Sequence, residues 1–322
     1  MVIEHKIEAL IKKVRRGDVS ALARSITLLE EGQIDITSIV PLLEAGKKSF
    51  KIGFTGPPGA GKSSIIDWII KHIRAKGEKV GIIATDPSSP FTGGAILGDR
   101  IRMQHHFLDA GVFIRSLGSR GAHGGISKIT SDASMLLELA GYRFIILETV
   151  GVGQTELDIM NIADTVVVVL VPEAGDVVQA MKAGIMEIAN IFVVNKSDHT
   201  GAKEMMNALK FIIETSGTPK ETWDTAIILT NGLDGTGINE LLDAILRHKE
   251  YMEKYIKPEL IFKKRIRGLQ QIAVGHIVQN IEEAIAGLSS DDYVNSLKNP
   301  SISLYTILNR LLKDKSFLKK LK

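Results

Sequence analysis

GFTGPPGAGKSSIIDWII, residues 53–70, sets Gly56, Gly59 and Gly61 and the pair Pro57–Pro58 between the apolar run KIGFT and a segment whose apolar residues recur at helical spacing. Gly56, Gly61, Lys62 and Ser63 complete the pattern GxxxxGK[ST] in its required setting, a strand before and a helix after. That setting separates it from a merely structural glycine-rich turn. Glycines let successive backbone N–H groups curl around a phosphate while the following helix aims its positive end at the same point. Lys62 then adds a full charge near the β- and γ-oxygens, and Ser63 offers a hydroxyl to Mg²⁺. Nucleotide contact is expected along the whole loop: Gly56, Pro57, Pro58, Gly59, Ala60, Gly61, Lys62, Ser63 and Ser64.

The texture on either side extends the reading. From Phe50 onward come seven short β-branched runs, KIGFT, KVGIIAT, GVFIRSL, RFIILET, DTVVVVLV, NIFVVNK and TAIILT, separated by helical or glycine-rich segments. Continuous apolar strands alternating with helices predict an α/β P-loop NTPase fold, a mostly parallel central sheet covered by helices on both faces. Before it, Ile3, Ile7, Leu10, Ile11 and Val14, then Leu22, Ile26 and Leu29 after the cap Asp18, predict two helices. Beyond about Gly237 the strands stop and only helical patterns follow. The expected division is an N-terminal helical extension over 1–49, a nucleotide-binding domain over 50–250 and a C-terminal helical arm over 251–322.

NKSD, Asn195–Asp198, follows the run NIFVV at the carboxyl edge, where ligands sit in open α/β sheets. Guanine offers N1–H and an exocyclic amine as a donor pair that adenine lacks, so Asp198 reads as a guanine selector and GTP is favoured over ATP. Asn195 is expected at the base edge and as a tie between loops, with the Lys196 stem over the ring. Mg²⁺ takes hard oxygen ligands, and beside Ser63 the candidates are Asp86, Asp99 and Glu148. Glu148 opens ETVG, a glutamate version of the DxxG switch of many GTPases, which sets Gly151 to donate its N–H to a γ-phosphate. Lys62, Glu148 and Gln154 are the candidate catalytic residues, Gln154 as orienter of the attacking water, although it lies three residues beyond Gly151. DPSSPFTGGAILGD and ETVGVGQTE suit loops that reorganise when the γ-phosphate is lost. Arg100, Arg102, Arg115 and Arg120 can steady phosphate charge or serve structure. His105 and His106 are adjacent, so on a helix they are expected to diverge rather than share a metal.

Composition limits the partners. The 322 residues carry a net charge of only +3, with the basic excess in terminal stretches such as KDKSFLKKLK, and neither nucleic acid nor a membrane surface is expected. No apolar run approaches the roughly 20 residues of a membrane helix, and the charged opening MVIEHKIEAL is unlike a signal peptide, so a cytoplasmic location is expected. The chain has no cysteine, which removes disulfides, thiolate metal sites and cysteine nucleophiles together.

Together, DVSALARSITLLE, GPPGAGKSS, DPSSPFTGGAILGDRIRM, ETVGVGQTE and GDVVQAMKAGIMEIANIFVVNKSD resemble the MeaB/MMAA/ArgK family of P-loop GTPases, from about Asp18 to His248. The resemblance implies a GTPase chaperone of adenosylcobalamin-dependent acyl-CoA mutases, chiefly methylmalonyl-CoA mutase, that gates cofactor loading and protects or reactivates the mutase. It also implies a homodimer with the C-terminal helical arm in the contact, Mg²⁺ and phosphate roles on Lys62, Ser63, Asp86, Asp99 and Glu148, and a loop coupled to the mutase around Gly175, Asp176, Lys182 and Glu187. The chain departs from the family pattern where Thr230 and Asn231 replace a Ser-Ala pair that touches guanine, where Asn190 replaces an aspartate, and in VPEAGDVVQ. The competing readings are an ATP-dependent phosphotransferase linked to amino-acid transport, a nickel-insertion metallochaperone GTPase, and a nucleotide-dependent scaffold that hardly hydrolyses.

Overall fold

The computed structural model describes residues 2–34, 36, 48–86, 103–118, 125–149, 155–172, 185–215, 223–255, 258–288, 291–314 and 317–318. All seven expected strands form, and they make one sheet. They are β1 (Phe50–Thr55), β2 (Val80–Asp86), β3 (Val112–Gly118), β4 (Phe144–Glu148), β5 (Thr165–Leu170), β6 (Ile191–Val194) and β7 (Ala226–Leu229). The order is β3-β2-β4-β1-β5-β6-β7, and every paired strand runs parallel. β1 therefore lies between β4 and β5, with earlier crossovers leading to one side of it and later ones to the other. Such a reversal opens a crevice at the strand carboxyl ends, where ligands bind in doubly wound sheets.

The runs are apolar throughout because both faces are covered. Successive strand residues alternate between two cores: Val166, Val168 and Leu170 of β5 pack on one side, Val167 and Val169 on the other. The second side is closed by α3 (Lys62–Ala75), through Ile65, Ile66, Ile69, Ile70 and Ile73, and by α8 (Ile238–Tyr255), through Ile238, Leu241 and Ile245. On the first side lie α1 (Val2–Arg15), α2 (Val19–Glu30), α4 (Gly125–Leu139), α5 (Thr155–Ile162) and α7 (Ala202–Thr215); the remaining short helix is α6 (Ile185–Ile188). Glycine at two strand positions on this side is a packing requirement: a Cβ on Gly53 would lie 2.8 Å from Ile159, and one on Gly81 2.8 Å from Leu137.

The N-terminal helices share the first core. Asp18 caps α2, its Oδ1 accepting the Ala21 N–H at 2.9 Å, and Leu22, Ile26 and Leu29 are buried against α4. The chain divides into two compact units, Met1–Lys264 and Arg265–Lys322. α9 (Pro258–Ala286) enters the second, which continues with α10 (Asp291–Lys298) and α11 (Leu304–Leu311). This unit has its own small core of Ala284, Ile307, Leu311 and Phe317.

Candidate functional site

The loop between β1 and α3 is held open by backbone geometry. Gly56 has φ +136°, and a Cβ there would meet the Val169 carbonyl of β5 at 2.0 Å, so only glycine fits. Gly61, at φ +88°, is the N-cap of α3 and sits against Asn195, whose Nδ2 would lie 2.2 Å from an added Cβ. Lys62 is buried at 6% exposure, and its Nζ donates to the carbonyls of Gly56 at 2.8 Å and Pro57 at 3.1 Å. The ammonium thus bridges the mouth of its own loop, within the ring of backbone groups that the motif assigns to phosphate.

One turn into the site, Ser63 Oγ donates to Glu148 Oε1 at 2.8 Å. Both residues are buried. The Glu148 carbonyl accepts from Thr85 Oγ1 at 3.0 Å, while Thr149 donates its N–H to the Phe54 carbonyl at 3.0 Å and its hydroxyl to Thr55 Oγ1 at 2.9 Å. β1, β2 and β4 are thereby stitched at their carboxyl ends. Asp86 closes β2 on the same edge, two residues past Ala84, the register partner of Glu148. Asp99, Gly151 and Gln154 lie outside the described residues, as do Arg100, Arg102, Arg120, Gly175, Asp176 and Lys182. Glu187 is exposed on α6.

The base-side segments meet at Asn195. Its Nδ2 donates to the Ala60 carbonyl at 2.8 Å, and its Oδ1 accepts from Thr230 Oγ1 at 3.1 Å and from the Gly232 N–H at 3.0 Å. A single buried amide thus joins the phosphate loop, the end of β6 and the loop after β7. Lys196 has φ +57°, the one non-glycine residue with positive φ among those described, and Ser197 N–H returns to the Thr230 carbonyl at 3.0 Å. The Asp198 side chain projects outward at 55% exposure, with His199 Nε2 3.9 Å away. Thr230 is buried behind Asn195, and Asn231 organises its own turn, accepting the Leu233 N–H at 3.0 Å and donating to Asp234 at 3.2 Å. Both side chains are thus engaged within the protein. Trp68 of α3, which the sequence did not single out, donates Nε1–H to the Gly232 carbonyl at 3.2 Å and so props the same loop.

Of the two roles open to Arg115 the structural one holds: its guanidinium pairs with Glu30 and donates to Thr27 Oγ1 at 3.1 Å, fastening β3 to α2. One expectation is corrected. His105 and His106 do not diverge, because they share a short 3₁₀ turn, Gln104–His106, and the Nε2 atoms of both reach Asp67 Oδ1, at 2.6 and 2.8 Å. Burial alone would raise the Asp67 carboxyl, but the Lys71 ammonium 2.8 Å away and the two imidazoles outweigh it and hold the pKa below its ordinary value. Burial depresses the His106 imidazole despite Asp67.

Residues 22–286 match the family described as methylmalonyl-CoA mutase-associated GTPase MeaB. The chain belongs to the MeaB family. A relative in Pyrococcus horikoshii, named as a GTPase, is 44% identical over 317 residues, spanning 95% of this chain and 97% of that one. The mouse mitochondrial protein named methylmalonic aciduria type A homolog is 33% identical over 268 residues, 76% of this chain and 64% of that protein. Among solved structures, a LAO/AO transport system kinase superposes with a TM-score of 0.64 at 24% identity, covering 99% of this chain and 97% of that one, which shows the shared fold. This MeaB-family chain is thus a P-loop GTPase, a hydrolase built to bind GTP and GDP. No helix among its described residues is long and apolar enough to cross a membrane.

Proposed function

We propose that this MeaB-family GTPase binds Mg²⁺–GTP across the carboxyl edge of its sheet and uses hydrolysis to gate an adenosylcobalamin-dependent acyl-CoA mutase of the methylmalonyl-CoA mutase type. The observation that carries the nucleotide half is the Ser63–Glu148 contact beside the phosphate loop. It is an all-oxygen donor set, a hydroxyl against a buried carboxylate, and it suits a small hard cation. Ser63 and Glu148 would hold Mg²⁺ with Asp86 and Asp99, and the ion when bound neutralises charge across the β- and γ-oxygens. Lys62 exchanges its loop carbonyls for phosphate oxygens, the loop amides and the N-terminus of α3 add oriented donors, and Gly151 meets the γ-phosphate. Gln154 orients the attacking water. Asp198 accepts from guanine, and Asn195 holds the base loop at a fixed distance from the phosphate loop.

The partner half rests on the family's own description and on the name of the mouse relative. Ile266, Leu269 and Ile277 of α9 are exposed apolar residues three and eight positions apart, with exposed Ala273 between them, and so lie on one helical face. That stripe suits a homodimer contact through the C-terminal arm.

The test is GTP turnover by the purified chain alone and with candidate mutases, with ATP as competitor. GTP hydrolysis that changes severalfold with one mutase supports the reading, and unchanged turnover across all of them removes the chaperone half. Lys62→Ala is expected to lose at least a hundredfold in turnover or nucleotide affinity; wild-type kinetics in that variant contradict the phosphate-loop assignment. Asp198→Asn is expected to weaken GTP at least tenfold while leaving ATP unchanged, and an unaltered preference between the two would also reopen the phosphotransferase reading.

A further inference from the structure

Asp67, His105 and His106 form a cluster for which the phosphate-loop chemistry has no use. Asp67 lies on α3 one turn beyond Ser63, and the histidines lie on the 3₁₀ turn that precedes β3. One oxygen, one imidazole nitrogen and a second imidazole nitrogen stand within 4.8 Å of one another. We propose that these three side chains form a site for a first-row divalent cation with nitrogen affinity, zinc being the best match, which clamps the Gln104–His106 turn onto the phosphate-loop helix.

The arrangement favours a cation over a plain hydrogen-bonded knot for three reasons. Both imidazole Nε2 atoms converge on the same Asp67 oxygen, while the other carboxylate oxygen is taken by Lys71 at 2.8 Å. The ionised Asp67 oxygen only accepts, so each ring meets it through Nε2–H; a shift of each ring to its Nδ1–H tautomer turns both Nε2 lone pairs toward one point, where a dication takes the place of the two protons. The rings are only 4.3 Å apart between centroids, too close to favour two imidazolium charges, so a dication shared between neutral rings is the more favourable way to hold them together. Finally, two imidazoles and a carboxylate are the donor set of an open zinc site, with ligand bonds of about 2.0–2.2 Å and water in the remaining positions. The softness of the nitrogens sets it against Mg²⁺ or Ca²⁺.

The parts that must move are free to do so. His105 is half exposed and can rotate to admit the ion. Lys71 is 44% exposed and already lies over the Trp68 ring at 4.6 Å, so its ammonium can swing clear of an incoming dication. His106 is the buried member and fixes the geometry.

The site is independent of the nucleotide reading, and its test is kept apart from it. The full chain, free of any histidine tag and stripped with a chelator, is titrated with Zn²⁺ by calorimetry and with Co²⁺ by visible absorption, in excess Mg²⁺ and without nucleotide. One ion per chain is expected, with Co²⁺ bands of a low-coordinate imidazole–carboxylate site. His105→Ala, at the exposed position, should weaken binding at least tenfold without unfolding the chain, and Lys71→Gln should tighten it severalfold by removing a competing cation. Ser63→Ala should bind Zn²⁺ as the parent does, which separates this site from a cation at the phosphate loop. Absence of stoichiometric binding, or equal affinity in the parent and His105→Ala, overturns the proposal and leaves the cluster a hydrogen-bonded knot.

Discussion

Asn195 shows how much one side chain can organise. Its amide spends both ends on protein, donating to Ala60 and accepting from Thr230 and Gly232, so its removal strands a buried hydroxyl, a carbonyl and an N–H together. Each stranded group costs about 1–3 kcal/mol, less what water can recover, and Asn195→Ala should lower unfolding free energy by about 2–4 kcal/mol in a denaturant titration. Nucleotide affinity should fall further than stability alone requires, since the two loops on either side of the ligand lose their common anchor. Equal stability to the parent would show that the amide is not the joint. The tie between loops was legible in the sequence because an asparagine at the end of a parallel strand faces the phosphate loop. The identity of its partners was not, since Thr230 and Gly232 are brought to it only when β7 pairs with β6.

At the scale of the element, the strands were the most legible feature because a parallel sheet covered on both faces leaves no polar alternation to mislead. Each β-branched run could only be a strand. The 3₁₀ turn at 104–106 was misread for the opposite reason. Adjacent residues diverge on an α-helix, yet here the chain bends so that both rings close on α3, and no local pattern encodes that long-range contact. The N-terminal helices were legible from their apolar stripe, and their place in the first core gives a direct test. Leu22 is fully buried where α2 meets α4, so Leu22→Ala should cost about 2–5 kcal/mol, read as a drop in denaturation midpoint. GTP affinity should stay within twofold of the parent, because the site is assembled from β1, β2, β4, β6, β7 and α3. An unmoved midpoint would mean that these helices fold apart from the sheet.

For the whole molecule, the division into two units carries a thermodynamic consequence. Every described site residue belongs to Met1–Lys264, while Arg265–Lys322 holds a separate core around Ala284, Ile307, Leu311 and Phe317. A ligand that binds only the folded state stabilises it by RT ln(1 + [L]/Kd), which is about 2.7 kcal/mol at a hundredfold excess over Kd. For a unit of this size each kcal/mol moves the midpoint by about 2–4 °C, so GDP with Mg²⁺ should raise the transition of the first unit by about 5–10 °C. None of the described site residues lies in the second unit, and its transition should stay in place, so that scanning calorimetry resolves one moving and one stationary component. A single component moving as a whole would show that the small C-terminal core has no stability apart from the sheet. The sequence set 251–322 apart as a helical arm, but its helical patterns mark only where strands end and say nothing of which helices share a core.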